Sequence, residues 1–290
     1  MVRIIDTLAE VANDYDAVFC DLWGCLHNGI SAFPEAVEAL RAFRADGGKV
    51  VLLTNAPRPR ADVEKQLDGM GVPRDCWDTI ATSGDSARAA MFRGVVGNKV
   101  WFMGEERDLT FFEPIKLVDD PVEIERVPLD QAEGIVCLGA FDAQADPAVN
   151  RPEFLYAKTK GLKLLCANPD IVVDRGDTRE WCAGALAQLY TEMGGESLYF
   201  GKPHPPVYDL ARRRLSELGT DISDNRILAI GDGINTDIRG ALGEDLDSLF
   251  ITGGLAAAET RTDRQPDPQA LEEFVSGHQI APTFAMGFLR

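Results

Sequence analysis

The sequence has few positive charges relative to negative ones: its 290 residues include 29 Lys and Arg but 47 Asp and Glu, a formal net charge of −18. Nucleic acids and anionic membranes would be repelled by most of such a surface, so we expect neither as a partner. The sequence also lacks any apolar run near the roughly 20 residues that cross a bilayer. Its first residues, which include Asp6 and Glu10, are more acidic than a targeting peptide. A cytoplasmic protein is therefore the expectation.

Cysteine is sparse, and internal repeats and low-complexity segments are missing. No two cysteines form a Cys-x-x-Cys pair, so we expect reduced thiols in an apolar core at positions 20, 25, 76, 137, 166 and 182. Apolar residues make up 45% of the chain and charged residues 26%, which excludes general disorder. The length is enough for about two domains.

Four short apolar runs each end at a polar or charged residue. The runs cover residues 17–20, 50–53, 198–200 and 227–230, and they lead into Asp21, Thr54, Lys202 and Asp232. Runs that are apolar throughout predict strands buried on both faces of a parallel sheet. Helical patterns lie between them, so the sequence predicts an α/β fold with a doubly wound, Rossmann-like sheet. In such sheets ligands bind beyond the carboxyl ends of the strands, where one crevice would hold all four polar side chains.

A second set of strand candidates lies between Thr54 and Lys202, at residues 100–103, 134–138 and 162–166. Helical patterns at residues 151–160 and 181–193 alternate with these strands. The gap is too long for a single crossover between neighbouring strands. We therefore predict a discontinuous core domain, residues 1–84 and 198–290, and an inserted α/β domain, residues 85–197.

Four motifs, in this order, resemble those of one enzyme family. They are DLWGCLHNG at residues 21–29, LLTN at 52–55, GKP at 201–203 and GDGINTD at 231–237. With them the sequence resembles the haloacid dehalogenase (HAD) superfamily, specifically its class IIA subgroup, which has an α/β cap and includes bacterial nucleotide and sugar phosphatases. Residues 54–72 and 167–170 are also similar to that subgroup. The resemblance covers about residues 16–254 and implies a HAD-like core whose inserted domain is a substrate-selecting cap.

The resemblance implies a Mg²⁺-dependent phosphatase of a small phosphorylated metabolite, such as a sugar phosphate, a nucleotide or an activated phosphate ester. Asp21 would be the nucleophile, forming an aspartyl-phosphate that water then hydrolyses. Lys202 would balance the charge of Asp21 and of the incoming phosphate. The protein ligands of Mg²⁺ would be the Asp21 carboxylate, the Trp23 backbone carbonyl and Asp232.

The other implied roles concern the surroundings of the metal, the phosphate and the cap. Asp237 would orient either a metal-bound water or Lys202. The phosphoryl oxygens would be held by the side chains of Thr54 and Asn55 and by the backbone N–H of Gly24. In the cap, the residues that select the substrate would include Asn168, Asp170 and Arg175.

Trp23 departs from the family pattern. Phosphatases of this superfamily usually carry a second aspartate two residues after the nucleophile, where it protonates the leaving oxygen and activates the hydrolytic water. General acid–base catalysis is worth typically about 10²–10⁴-fold, which is roughly 3–5 kcal/mol of barrier. We therefore expect an unactivated alkyl phosphate to be a poor substrate. The backbone carbonyl of Trp23 keeps its expected place at the metal.

This departure leaves several functions open. The chain would hydrolyse a substrate whose leaving group needs no acid, or another residue, such as His27, would supply the general acid. In a further alternative, Asp21 accepts the phosphoryl group but the aspartyl-phosphate is hydrolysed slowly. Alternatively, it would bind a phosphorylated metabolite without turnover. A more remote alternative is dehalogenation: dehalogenases of the superfamily carry an aromatic residue here, although they use no Mg²⁺ and have helical caps.

A homodimer would form through an apolar cap helix or through Phe284, Met286 and Phe288 of the tail.

Overall fold

Short strands alternate with helices along the chain. The structure is a computed structural model that describes residues 2–175, 178–219 and 221–290, without the side chains of Asp174 and Arg175. Its strands are β1 Arg3–Ile4, β2 Ala17–Cys20, β3 Lys49–Thr54, β4 Thr79–Thr82, β5 Lys99–Met103, β6 Glu125–Arg126, β7 Gly134–Cys137, β8 Lys163–Cys166, β9 Val172–Arg175, β10 Thr178–Trp181, β11 Glu196–Tyr199, β12 Ile227–Gly231, β13 Asp247–Ile251 and β14 Phe284–Met286. Its α-helices are α1 Pro34–Ala45, α2 Arg60–Gly69, α3 Ser83–Phe92, α4 Arg151–Thr159, α5 Ala183–Glu192, α6 Pro205–Ser216, α7 Arg239–Gly243 and α8 Pro268–His278. Within the described residues, no helix has the length and apolar character that crossing a membrane requires.

The described residues divide into two compact units, of which the first comprises residues 2–54, 64–81, 202–219 and 221–290. Its sheet, in the part of the chain that is described, has the strand order β1-β14-β13-β12-β2-β3-β4. Strand β2 pairs in parallel with β3 and β12, and the successive pairs from β12 to β1 are parallel as well. Strands β2 and β12 are buried throughout, the pattern of a parallel sheet covered on both faces. The predicted doubly wound, Rossmann-like α/β core is confirmed.

Three helices of the first unit begin at proline. Pro34, Pro205 and Pro268 open α1, α6 and α8, at the position where a missing N–H costs no hydrogen bond. The buried face of α1 recurs at helical spacing and consists of Ala36, Val37, Leu40 and Phe43. Local sequence therefore specifies both where these helices start and which side they bury.

The second unit comprises Asn55–Val63 and Thr82–Gly201. Among its described residues, a sheet of order β11-β8-β7-β5-β6 has parallel pairs, and β9 pairs antiparallel with β10. Neighbouring residues of β8 point to opposite faces of the sheet. Leu164 belongs to the apolar cluster that contains Phe154 of α4, whereas Leu165 belongs to the cluster that contains Met91 of α3. This unit is therefore an α/β layer structure with an apolar core on each face of its sheet.

One strand lies in a different sheet from the one predicted. Residues 198–200 are predicted as a strand of the core sheet, but the strand is β11, which pairs with β8 of the second unit. Leu198 and Phe200 pack against the apolar cluster that contains Leu165. The prediction was wrong because an apolar run indicates a strand without specifying its partner. Lys202 therefore follows a strand of the second sheet and not one of the core sheet.

The C-terminal segment, for which the sequence predicts no elements, forms α8 and β14. Strand β14 lies between β1 and β13 in the core sheet, so Phe284 and Met286 are buried. Phe288, by contrast, is 37% exposed. The suggested dimer contact through the tail is contradicted for Phe284 and Met286, because the sheet already covers their apolar surface.

Candidate active site

Three buried charged side chains form an ion-pair cluster in the first unit. Asp21 directly follows β2, and Asp237 lies in the π-helical turn Ile234–Ile238 after β12. The Lys202 Nζ donates hydrogen bonds to Asp21 Oδ1 at 2.7 Å and to Asp237 Oδ1 at 2.6 Å. Each of these side chains is at most 10% exposed, so solvent screens the charges little. The structure thus brings together three of the residues that the sequence predicts at one site.

This cluster, together with Asp232, carries more negative than positive charge. Burial, followed by the neighbouring Asp237 carboxylate, raises the pKa of Asp21, and Lys202 opposes that rise. Burial, followed by Asp21 and Asp237, also raises the pKa of Asp232 well above its ordinary value. Burial alone would lower the pKa of Lys202, but the attraction of Asp21 and Asp237 holds it well above the ordinary value. Beyond burial, these shifts reflect an excess of carboxylates over ammonium groups, which a bound divalent cation would offset.

Two of the carboxylates are placed to share a cation. Asp232 directly follows β12, and the ligand atoms of Asp21, Cys25 and Asp232, all buried, lie within 4.8 Å of one another. The Leu255 backbone N–H donates to Asp232 Oδ2 at 3.0 Å and so holds this carboxylate. Mg²⁺ prefers oxygen ligands and is commonly bound through one or two carboxylates together with several waters. Asp21 and Asp232 therefore fit a magnesium ion.

Gly24 brings the loop after Asp21 against Asp232. Its φ is +72°, and a Cβ at this position would lie 2.1 Å from Asp232 Oδ2, so both conformation and space require glycine. The predicted contact of the Gly24 N–H with phosphate conflicts with the structure, because this N–H donates to the His27 carbonyl at 3.0 Å. The Gly24 N–H thus stabilises the turn that places Gly24 next to Asp232, and it is not directed at a ligand.

The other predicted phosphate and cap residues belong partly to the first unit and partly to the second. Thr54 ends β3 in the first unit and is buried. In the second unit, Asn55 Nδ2 donates to Asp170 Oδ1 at 2.8 Å, and Asn168 Oδ1 accepts from the Asp170 backbone N–H at 3.0 Å. Asn55, Asn168 and Asp170 therefore form one hydrogen-bonded group. The side chain of Arg175 lies outside the described residues.

Trp23 packs against its own loop. Its indole meets the His27 ring edge-on, with the ring centroids 5.4 Å apart. Gly29, at a φ of +84°, lies directly against the indole, since a Cβ there would be 2.1 Å from Trp23 Cη2. An antiparallel bridge between His27 and Ala32 closes the loop. The position two residues after Asp21 therefore holds an apolar ring and no acid or base that titrates near neutral pH.

His27 is a poor replacement for the missing acid. It is buried, and its Nδ1 accepts a hydrogen bond from the Gly29 backbone N–H at 3.0 Å. Burial lowers the pKa of His27 to about 4, so the imidazole is neutral at pH 7. A neutral imidazole has little tendency to give up its remaining proton. The hypothesis that His27 supplies the acid is therefore not supported.

Two further polar groups were not anticipated from the sequence. The Cys25 thiol joins the ligand group of Asp21 and Asp232, although its apolar neighbours in the chain indicate a core thiol. Ser83, the first residue of α3, has a buried Oγ without a hydrogen-bond partner among the described residues. A Cβ on Gly201 would lie 2.6 Å from that Oγ, which shows how closely the backbone approaches it. The position of Cys25, four residues after Asp21 in the same loop, could have indicated that it lies near the site. We find no feature of the sequence that indicates a role for Ser83.

Comparison with known proteins finds relatives along the whole chain. A family model described as haloacid dehalogenase-like hydrolase matches residues 18–116, and a HAD-hydrolase-like model matches residues 199–274. The crystal structure of a hydrolase of the haloacid dehalogenase-like family from Brucella suis 1330 is also similar. Its sequence is 36% identical, the match covers 99% of this chain and 100% of that chain, and the TM-score is 0.84.

Two proteins of Bacillus subtilis (strain 168) are similar at lower identity. The 5'-nucleotidase YutF is 23% identical over 272 residues, which cover 88% of this chain and 93% of the relative. The sugar-phosphatase AraL is 25% identical over 250 residues, which cover 84% of this chain and 86% of the relative. Both matches extend over most of each protein.

Proposed function

This chain belongs to the haloacid dehalogenase-like hydrolases, and we propose that it is a Mg²⁺-dependent phosphatase that works through an aspartyl-phosphate on Asp21. It is a phosphoric monoester hydrolase of small phosphorylated metabolites, the class to which the names of its nucleotidase and sugar-phosphatase relatives point. The observation that carries the proposal is the buried Asp21–Lys202–Asp237 cluster with Asp232 beside Asp21. These residues combine a fixed carboxylate, a fixed ammonium group and a second carboxylate within reach of the same metal ion.

Asp21 is the residue that accepts the phosphoryl group. Its carboxylate attacks phosphorus, the bond from phosphorus to the leaving oxygen breaks as the bond to Asp21 forms, and water then cleaves the acyl phosphate. Lys202 holds Asp21 through Oδ1 and offsets the negative charge that carboxylate and phosphate bring together. Asp237 acts through Lys202, whose Nζ it holds at 2.6 Å. Phosphoryl transfer depends mainly on such positioning and charge compensation.

The proposed metal ligands are the side chains of Asp21 and Asp232 and the backbone carbonyl of Trp23. Bound there, Mg²⁺ supplies positive charge at the phosphoryl oxygens and lowers their repulsion of Asp21. We propose that Thr54 and Asn55 hold phosphoryl oxygens. We also propose that the inserted domain is a cap that selects the substrate, with Asn168, Asp170 and Arg175 among the selecting residues.

Trp23 sets the proposed preference among substrates. The indole provides no proton for the leaving oxygen, and His27 nearby is buried and neutral. A leaving group of low pKa departs without a proton, so acyl and aryl phosphates are expected to react faster than sugar phosphates or nucleotides. On an unactivated ester, the loss of general acid–base catalysis costs typically about 10²–10⁴-fold in rate.

Asp21→Asn tests the nucleophile. We expect Mg²⁺-dependent release of phosphate from p-nitrophenyl phosphate to fall by about 10³-fold or more, because the covalent route is removed. Asp16→Asn is the matched control, since Asp16 immediately precedes β2 and pairs with Arg226 at the surface. Unchanged turnover by Asp21→Asn, in a protein with native circular dichroism, would contradict the proposal.

Trp23→Asp tests the substrate preference by restoring a carboxyl group two residues after Asp21. We expect kcat/KM for sugar phosphates to rise by at least about tenfold relative to kcat/KM for p-nitrophenyl phosphate, because only the poor leaving group needs an acid. Trp23→Asn, which matches aspartate in size but does not titrate, should leave the ratio unchanged. A similar rise for both substrates, or the same ratio in both variants, counts against this role of Trp23.

The missing acid also favours a second function, binding of a phosphorylated metabolite without turnover. In that case the metabolite and Mg²⁺ together would raise the temperature of thermal unfolding, while no phosphate would be released from a broad panel of esters. Phosphate release by the wild-type protein that disappears in Asp21→Asn would exclude this second function.

A further inference from the structure

Cys25 lies within the proposed cation site. Its Sγ and one carboxylate oxygen each from Asp21 and Asp232 lie within 4.8 Å of one another, and the residue is buried. The preceding residue, Gly24, lies so close to the Asp232 carboxylate that a Cβ would not fit. The magnesium proposal assigns no role to this sulfur.

The three side chains offer two hard oxygen donors and one soft sulfur donor. Mg²⁺ selects carboxylate, carbonyl and water ligands, whereas Zn²⁺ binds thiolate and carboxylate together. Three protein ligands with one open position are typical of zinc sites that also bind a small molecule. The oxygen ligands Asp21 and Asp232 by themselves suit Mg²⁺, whereas the set that includes the Cys25 sulfur suits a thiophilic divalent cation.

We propose that Asp21, Cys25 and Asp232 form a binding site for a thiophilic divalent cation, such as Zn²⁺ or Cd²⁺, which competes with Mg²⁺. On binding, the S–H bond of Cys25 breaks, a metal–sulfur bond forms and the proton leaves to solvent. The cation occupies the Asp21 carboxylate and inhibits the phosphatase, a consequence that rests on the function proposed above. The binding itself does not depend on that function.

The site needs only a small contraction to hold such a cation. In a tetrahedral zinc site, with Zn–S of about 2.3 Å and Zn–O of about 2.0 Å, sulfur and oxygen ligands lie about 3.5 Å apart. Here the three ligand atoms are separated by up to 4.8 Å, so shifts of about 1 Å bring them into place. Lys202 already holds Asp21 through Oδ1, and the Leu255 N–H holds Asp232 through Oδ2. We therefore expect the Cys25 side chain to make most of the shift.

Titration of the full-length, chelator-treated protein with Cd²⁺ tests the proposal without a substrate. We expect a thiolate-to-cadmium charge-transfer band in the ultraviolet, at shorter wavelength than the absorption of the aromatic side chains, that saturates at one equivalent. Cys25→Ser should remove the band and weaken Cd²⁺ binding by roughly 10–100-fold or more, as expected for a direct ligand. Cys137→Ser is the matched control, a buried thiol of the second unit, and should keep the band.

Asp232→Asn supplies a second variant that retains the thiol. It should weaken cadmium binding at least about tenfold, because a carboxylate ligand of the same cation is lost. No band at one equivalent, a band that persists in Cys25→Ser, or cadmium affinity unaffected by Asp232→Asn would each overturn the proposal. The wild-type and Asp232→Asn titrations decide the matter even if Cys25→Ser does not fold. Because phosphate release is assayed separately, a failure here and a failure of the phosphatase proposal are distinguishable.

Discussion

Trp23 can occupy its position because Gly29 has no side chain. The indole lies where a Cβ of Gly29 would be, and the edge of the His27 ring meets it nearby. A larger residue at position 29 would have to displace the ring or open the loop. Packing against Gly29 and His27 therefore fixes the side chain of Trp23, the residue that replaces the usual acid.

We expect Gly29→Ala to destabilise the protein more than Gly47→Ala does. Both glycines have positive φ, which costs an alanine roughly 1–2 kcal/mol, but a Cβ on Gly47 would meet nothing within 4 Å. The additional loss at Gly29, about 1–3 kcal/mol for overpacking, is measured as the difference between the two variants in the free energy of unfolding in urea. Equal losses would show that contact with Trp23 places no constraint on Gly29.

Individual site residues could be predicted where a motif identifies them, but not where packing decides their role. Asp21, Lys202 and Asp237 follow from the order of the motifs, and the structure joins them in one ion-pair cluster. The Gly24 N–H was assigned to phosphate because the sequence does not show that a turn uses this donor. Cys25 was assigned to the core because an apolar neighbourhood does not reveal a nearby carboxylate.

Helices and strands could be predicted where they are apolar throughout or on one face. Strands β2 and β12 meet that condition, and both lie in the core sheet. Strand β4 and helix α3 were missed because polar residues such as Thr79, Thr82 and Arg88 are buried in them. Arg88 donates to the Asp85 carboxylate and to the Phe111 carbonyl, which compensates its buried charge. Phe111 is distant in sequence, so no local pattern indicates that this polar helix is buried.

Asp247 connects the start of β13 to segments that precede two other strands. Tyr15 Oη, just before β2, donates to Asp247 Oδ2 at 2.8 Å. Thr283 Oγ1, just before β14, donates to Asp247 Oδ1 at 2.9 Å. Burial, followed by the hydrogen bond to Asp247, raises the pKa of Tyr15 above its ordinary value. The neutral phenol is therefore the form that the folded protein stabilises.

This pKa shift predicts a loss of stability at alkaline pH. A group whose folded pKa is raised contributes stability that is fully present below its unfolded pKa, about 10 for tyrosine, and is lost as pH rises further. Between about pH 9 and about pH 11, we expect the free energy of unfolding to fall more in the wild type than in Tyr15→Phe. Urea denaturation at each pH measures the difference. Tyr156→Phe, at an exposed tyrosine, is the control and should follow the wild type; a parallel decline in all three proteins would argue against the role of Tyr15.

The net charge of −18 acts on the molecule as a whole. Carboxylates in excess repel one another more in the compact folded state than in the expanded chain. Raising NaCl from about 10 mM to about 100 mM shortens the Debye length from about 30 Å to about 10 Å, which screens this repulsion. We expect Tm to rise by about 2–4 °C, the shift that about 1 kcal/mol produces in proteins of this size. Calorimetry without divalent cations checks this, with KCl as the control salt; a constant or falling Tm would contradict it.

The position of β12 beside β2 has a consequence for synthesis on the ribosome. Ile227 pairs with Ala17, so the neighbour of β2 on one side is translated only after most of the chain has emerged. The segment Thr82–Gly201 is complete before then and has its own apolar cores, so it is free to fold first, as domains generally do during translation. Strand β2 meanwhile keeps the edge that later pairs with β12 unpaired, and such an edge is prone to aggregation in a nascent chain. Closing the core sheet is therefore a late event in the making of this protein.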